Sequence, residues 1–193
     1  MTTESNFLDD IAAALQVLEN GGVILYPTDT VWGIGCDATN SDAVAKIFRI
    51  KRRAESKSLL ALVDSTDQIE SRMQALPPAA AELMISSPRP VTVILSGVNG
   101  LAEAMYADDH TVGIRLTREK YSSELCRRLG RPLVSTSANF SGEPTPAIFA
   151  EISRQLIDQV DYTALYRRDD DSRSLPSMLV KINDDNSLTI LRK

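Results

Sequence analysis

Apolar residues recur at helical spacing at Phe7, Leu8, Ile11, Leu15 and Leu18, and Gly21 follows, so a helix is predicted over residues 7–20. Residues 22–27 (GVILYP) read as a buried strand, and residues 31–38 (VWGIGCDA) as a second, short extended segment. Asn40 and Ser41 are capping types ahead of a helix over 42–50. Residues 58–63 (SLLALV) form a strand. Ser65 followed by Gln68 is a capping-box signature for a short helix. Residues 77–86 give a proline-opened helix. Strands are predicted over 90–97 (PVTVILSG) and 111–116 (TVGIRL), with a helix over 117–130 ending at Gly130. Residues 131–139 (RPLVSTSAN) run from strand into loop. Thr145-Pro146 looks like an N-cap and first turn of a helix reaching about Leu156. The runs 176–182 and 187–193, joined by Asn-Asp-Asp-Asn, read as a β-hairpin. Helices alternate with strands and antiparallel pieces intervene, which predicts an α/β domain with a twisted mixed sheet.

Composition narrows the class. A chain of 193 residues with 43% hydrophobic and 24% charged residues can bury a real core, and one domain over residues 1–193 is expected. No apolar run is long enough for a membrane helix, and the polar N-terminus is no signal peptide, so a cytoplasmic protein without a membrane partner is expected. Cys36 and Cys126 stand far apart and fit neither a disulfide framework nor a zinc site. His110 is the single histidine, which argues against histidine-rich metal sites and most triad hydrolases; it reads as an exposed loop residue. The net charge of −5 speaks against a surface built wholly for nucleic acid, yet Lys46, Arg49, Lys51, Arg52, Arg53 and Lys57 cluster in one region. Residues 167–174 (RRDDDSRS) read as a solvated loop or a flexible lid.

Three short islands carry the candidate chemistry, while neither a Walker motif nor GxGxxG follows any strand. In YPTDTVWGIG (26–35), Thr28, Asp29 and Thr30 follow a strand end, where α/β sheets commonly bind ligands, and Gly33 and Gly35 let backbone approach closely. In KRRAESK (51–57), Lys51 and Arg53 can project from one extended face with Lys57 returning after a turn, a set suited to phosphate oxygens. In STSANFSGEPTP (135–146), hydroxyls and backbone N–H groups gather behind a buried strand, as anion sites require.

Taken together, these islands resemble the YrdC-like family of threonylcarbamoyl-AMP synthases, over nearly the whole chain and in its single-domain form. The resemblance implies a YrdC-like open twisted mixed sheet with flanking helices and a large concave basic cavity. It implies an ATP-dependent reaction of L-threonine and bicarbonate that gives threonylcarbamoyl-AMP and pyrophosphate. Mg2+ is expected on the ATP, and the product is expected to pass to a downstream threonylcarbamoyl-transferase complex that modifies tRNA. By motif, Thr30, Arg115 and Ser177 are expected to meet threonine. Lys51 and Arg53 are the expected catalytic cations on the phosphates, and Arg53, Lys57, Ser137, Asn139, Thr145 and Arg192 the expected nucleotide contacts. The alternatives are an RNA-binding module of the same fold without catalysis, or a divergent relative that binds another nucleotide. The chain departs from the family's usual text at Ser58, Arg89 and Thr117, where prolines or glycine are common, and at Met178, where a threonine hydroxyl is lost. Each such change removes a backbone restraint or a donor.

Overall fold

The computed structural model describes residues 3–52, 59–183, 185 and 187–192. The expected Arg53, Lys57 and Ser58 lie outside the described residues. The helix α1, Thr3–Glu19, begins earlier than its apolar spacing indicates. Phe7, Ile11, Ala14 and Leu18 are its buried stripe, while Leu8 stays exposed. Next come β1 (Ile24–Tyr26), β2 (Gly33–Gly35) and α2 (Ser41–Lys51). Asn40 caps α2 as expected, its side chain accepting from the amides of Asp42 and Ala43. Farther on are β3 (Leu60–Val63), α3 (Thr66–Glu70), α4 (Pro78–Ser86), β4 (Val91–Leu95), β5 (Val112–Leu116), α5 (Lys120–Leu129) and β6 (Leu133–Ser137). The remainder is α6 (Arg154–Ile157), β7 (Tyr162–Thr163), β8 (Met178–Ile182) and β9 (Leu188–Arg192).

Two helix starts differ from expectation. The short helix α3 forms after Ser65, but Ser65 makes no side-chain cap, and the Gln68 amide donates to the Cys126 carbonyl at 3.0 Å. The helix predicted from Thr145 to about Leu156 is absent. Residues 144–148 stay non-helical, a 3-10 turn covers Phe149–Glu151, and only Arg154–Ile157 is α-helical. Glu151 accepts from the Ala147 amide at 2.8 Å, and Phe149 leaves the would-be helix to pack on Trp32, ring centroids 4.8 Å apart and planes tilted by 51°. These tertiary contacts override the local Thr-Pro signal.

The strands form one nine-stranded mixed sheet in the order β7-β1-β2-β6-β3-β5-β4-β8-β9. β6 is the seam, antiparallel both to β2 and to β3, while β3–β5, β4–β8 and β1–β7 are parallel. α4 packs against β4 and β5, α5 against β3 and α1. Side-chain alternation divides the two faces of the central strands. Val91, Val93, Leu95, Val112 and Ile114 are buried in the core, whereas Thr92, Ile94, Gly113 and Arg115 line a pocket. No helix among the described residues is long and apolar enough to cross a membrane.

β2 explains its own glycines. The buried Tyr26 reaches beneath it and donates its hydroxyl to the Val134 carbonyl of β6 at 2.9 Å. A Cβ on Gly35 would stand 2.2 Å from that carbonyl oxygen and 2.7 Å from the Tyr26 ring. Gly35→Ala is therefore expected to cost about 1–3 kcal/mol, the usual range for overpacking. Urea unfolding should show a lower midpoint with an unchanged slope.

At Thr117 and Arg89, where the resemblance implies a proline and a glycine, hydroxyls restrain the backbone. Thr117 shares a buried hydrogen bond with Ser122 at 2.7 Å and its amide donates to the Val63 carbonyl at 2.9 Å. Ser87 closes the turn at Arg89, its hydroxyl donating to the Arg89 carbonyl at 2.8 Å.

Candidate functional site

The pocket over the sheet has a volume of about 810 Å³. That lies within the range of small-molecule sites. It gathers Thr30 from the loop after β1, Arg115 from β5, Ser137 from the end of β6, Thr145 beyond it, Ser177 before β8 and Arg192 from β9. Six of the residues singled out in the sequence thus share one cavity although they come from distant parts of the chain.

The loop from Thr28 to Val31 is built by its hydroxyls. The Thr28 hydroxyl donates to the Val31 carbonyl at 2.8 Å and accepts from the Thr30 amide at 3.1 Å. This local closure is what threonine supplies in turns. It leaves Thr30 Oγ1 to accept from Nη1 of Arg115 at 3.2 Å. Arg115 Nε lies 3.3 Å from Asp29 Oδ1, with side chains only 4% and 12% exposed. Burial pushes the Arg115 guanidinium below its ordinary value, and the Asp29 carboxylate opposes that shift.

On the opposite wall, the buried hydroxyls of Thr92 and Ser177 share a hydrogen bond of 2.9 Å. Arg192 holds this corner, with Nε and Nη2 donating to the Ser177 carbonyl at 3.1 and 3.0 Å. Thr92 was not singled out in the sequence. Its signal is a hydroxyl at the alternate position of an otherwise apolar strand, PVTVIL. Ser135 and Lys181 line the pocket by the same alternation.

Lys51 stands elsewhere than on an extended face. It is the last residue of α2, is 2% exposed, and its ammonium donates to the carbonyls of Ser137 and of Asn139, the latter at 2.8 Å. A buried ammonium needs such acceptors, and it ties the loop after β6 to the end of α2. The loop returns the bond, the Ser141 amide donating to the Lys51 carbonyl at 2.9 Å. Asn139 accepts from the Ser137 hydroxyl at 2.5 Å and donates to the Glu143 carbonyl at 2.7 Å. Ser137 thus faces the pocket on a loop braced by Lys51 and Asn139. Arg52, in a left-handed cap, lies over the Phe140 ring at 4.3 Å.

The charged stretch 167–174 is tied down by named pairs. Arg167 meets Asp170 at 2.7 Å and Glu119 at 3.6 Å, and donates to the Thr28 carbonyl at 3.3 Å. Arg168 donates to the carbonyls of Ala164 and Thr163, both at 2.6 Å. Upstream, the buried Asp10 accepts from the hydroxyls of Tyr162 at 2.6 Å and Tyr121 at 3.1 Å, and from the amides of Leu165 and Tyr166. A carboxylate on α1 thereby anchors the strap that ends beside the pocket. Lys46 pairs with Asp161 at 2.6 Å, which removes one cation from the basic cluster. Burial pushes the thiols of Cys36 and Cys126 up, so neither is an activated nucleophile. Among the described residues, no group of three or more Asp, Glu, His or Cys side chains is placed to hold a metal ion.

The family model Sua5_yciO_yrdC, described as telomere recombination, matches residues 16–193. The threonylcarbamoyl-AMP synthase of Vibrio parahaemolyticus is 31% identical over 189 residues, 96% of this chain and 100% of that protein. The one from Pseudoalteromonas translucida is 35% identical over 155 residues, 79% of this chain and 83% of that protein. Among solved structures, P. abyssi Sua5 complexed with L-threonine matches with a TM-score of 0.80 at 23% identity, over 94% of this chain and 53% of that one. The likeness to that structure is one of fold, and this chain spans about half its length.

Proposed function

The chain belongs to the Sua5/YciO/YrdC family, and from that premise we infer that it is a threonylcarbamoyl-AMP synthase. It joins L-threonine, bicarbonate and ATP, with release of pyrophosphate. One observation carries the reading for this chain's own residues: Thr30, Arg115, Ser137, Ser177 and Arg192 line a single pocket of about 810 Å³. Scattered among different cavities, these side chains could not hold an amino acid and a nucleotide together.

The proposed chemistry asks for cations and donors set in advance. The threonine amine, in its neutral form, joins bicarbonate as a carbamate, and water leaves. A carbamate oxygen forms the bond to the α-phosphorus of ATP, the bond to the bridging oxygen breaks, and pyrophosphate leaves. Arg115 receives the threonine carboxylate, with Thr30 and the Thr92–Ser177 pair forming the polar walls. Ser137 and Arg192 take nucleotide oxygens, with Thr145 at the rim. Arg53 and Lys57 are assigned to the phosphates by their place in the family's motif. Lys51 acts by holding the loop that presents Ser137 and Asn139. Magnesium enters with the nucleotide, as the MgATP substrate. The product is consumed by a threonylcarbamoyl-transferring complex acting on tRNA. The comparisons do not favour the RNA-binding alternative, and the pairing of Lys46 with Asp161 weakens the basic cluster it relied on.

Pyrophosphate release from ATP is the decisive measurement. It is expected to require L-threonine and bicarbonate together. Release at the full rate with either one omitted overturns the assignment.

A further inference from the structure

The two edges of the sheet are unlike. β7 is two residues long, whereas β9 runs over five, Leu188–Arg192, and all five are exposed. Leu188, Ile190 and Leu191 are each about half exposed. Ile190 stands opposite Val180 and Leu188 opposite Ile182, so both share the sheet face on which Val180 is buried. α4 packs against β4 and β5, and β9 lies two strands beyond β4. Edge strands are commonly guarded by a charge, a proline or a bulge. Here the guards sit at one end, where the β8–β9 register shifts at Leu179/Val180 and Arg192 closes the strand. The stretch Leu188–Ile190 has none of them.

The hairpin fixes which backbone groups this edge offers. The Asn183 amide donates to the Ser187 carbonyl at 3.0 Å. Antiparallel partners alternate between bonded and non-bonded pairs. Lys181 and Thr189 therefore turn their amides and carbonyls toward each other, and Leu188 and Ile190 direct theirs away from the sheet. Such an edge is complementary to itself. A second copy laid antiparallel, on a two-fold axis through Thr189, sets Leu188 opposite Ile190 of that copy and Ile190 opposite its Leu188. Each pair then exchanges both of its backbone hydrogen bonds, and the apolar side chains of the two copies meet on one face. Charge selects the same arrangement. Asp184 and Asp185 precede the strand in the sequence, and Arg192 and Lys193 close it. The turn at Asp185 is held in shape by the Ser187 amide and hydroxyl, at 2.9 and 2.6 Å. An antiparallel copy brings this turn beside the Arg192 end of its mate, whereas a parallel copy stacks like charge on like.

We propose that β9 is a homodimer interface: two copies of this chain pair edge to edge, antiparallel about Thr189, and continue the sheet from one molecule into the other. The contact takes one short strand from each copy, so the dimer is weak and depends on concentration. It is isologous, and every side-chain change enters it twice. The inference concerns an outer edge of the sheet and does not depend on what the pocket binds.

The test is analytical ultracentrifugation of the full chain under reducing conditions. Between about 1 and about 300 µM the wild-type mass is expected to rise from monomer toward dimer. Ile190→Lys puts a cation into each half of the apolar cluster and is expected to weaken association at least about tenfold. Two cysteine variants test the register, and carry the test alone if Ile190→Lys does not fold. On the axis, the thiols of Thr189→Cys meet in a non-bonded pair with Cα atoms about 4.5 Å apart, within reach of a disulfide. Mild oxidation is expected to link this variant into a covalent dimer. Leu188→Cys faces Ile190 of the other copy and is expected to link at least about fivefold less. The native Cys36 and Cys126 are buried and do not compete. A wild-type protein that stays monomeric over this range overturns the proposal. So does association unaltered in Ile190→Lys, or Leu188→Cys linking as well as Thr189→Cys.

Discussion

Arg115→Ala is expected to lower threonine-dependent pyrophosphate release by roughly 30-fold to several thousand-fold. Truncating one partner of a buried charge pair costs about 2–5 kcal/mol, and each 1.4 kcal/mol is a factor of ten. The damage has three parts. The carboxylate loses its receptor. Thr30 Oγ1 loses the donor that lies 3.2 Å away and orients it. Asp29 is left as a buried charge without its cation, 3.3 Å from an empty space. The third part makes the effect larger than loss of one substrate contact. Arg115→Lys restores the charge but not the planar fork that spans Asp29 and Thr30, so a partial recovery is expected. Steady-state kinetics with L-threonine varied at saturating ATP, alongside circular dichroism to confirm the fold, checks this. Wild-type turnover in Arg115→Ala would remove Arg115 from the site.

The second large effect is on stability. Asp10→Ala is expected to cost on the order of 3 kcal/mol or more, because it strips the acceptor from two tyrosine hydroxyls and two backbone amides at once. Tyr121 is fully buried and Tyr162 and Tyr166 pack against the core, whereas Leu165 is exposed and only its amide turns inward to Asp10. The loss is also expected to be felt locally. Leu165 and Tyr166 are freed from α1, and Arg167 then has less to hold it against Glu119 and the Thr28 carbonyl. Limited proteolysis should cut within residues 164–173 before the rest of the chain yields, while urea unfolding reports the global loss. Asp10→Asn keeps one acceptor and should fall between wild type and alanine. An Asp10→Ala variant with an unchanged urea midpoint would show that the four hydrogen bonds are replaceable by water.

The parts of this molecule that sequence made legible are those governed by neighbours in the chain. The Asn40 cap, the glycine stop at Gly130 and the β8–β9 hairpin all follow from local chemistry, and all three form. The hydroxyl-rich islands pointed to the pocket because polar side chains behind buried strands must be satisfied by something. What failed was decided at long range. Gln68 found the Cys126 carbonyl in place of its own helix start, and Phe149 found Trp32. β7 has two residues, too few for any alternation to show. Asp10 sits in an Asp-Asp pair that reads as a solvated helix face, although only Asp9 is exposed. The pairing of Asp29 with Arg115 joins two segments with most of the domain between them, and no periodicity records it. Lys51 stood out as one cation of a basic run, but the carbonyls of Ser137 and Asn139 that hold it are invisible until the chain folds.

The seam made by β6 has a consequence for how activity is acquired. This strand slots between β2 and β3, and the Tyr26 hydroxyl that reaches Val134 spans a sequence separation of 108 residues. Joining such distant segments pays chain entropy before any contact repays it, which slows the step. Diluted from denaturant, the protein should regain its helical signal well before it regains affinity for any ligand. The pocket is then the last thing this chain learns to make.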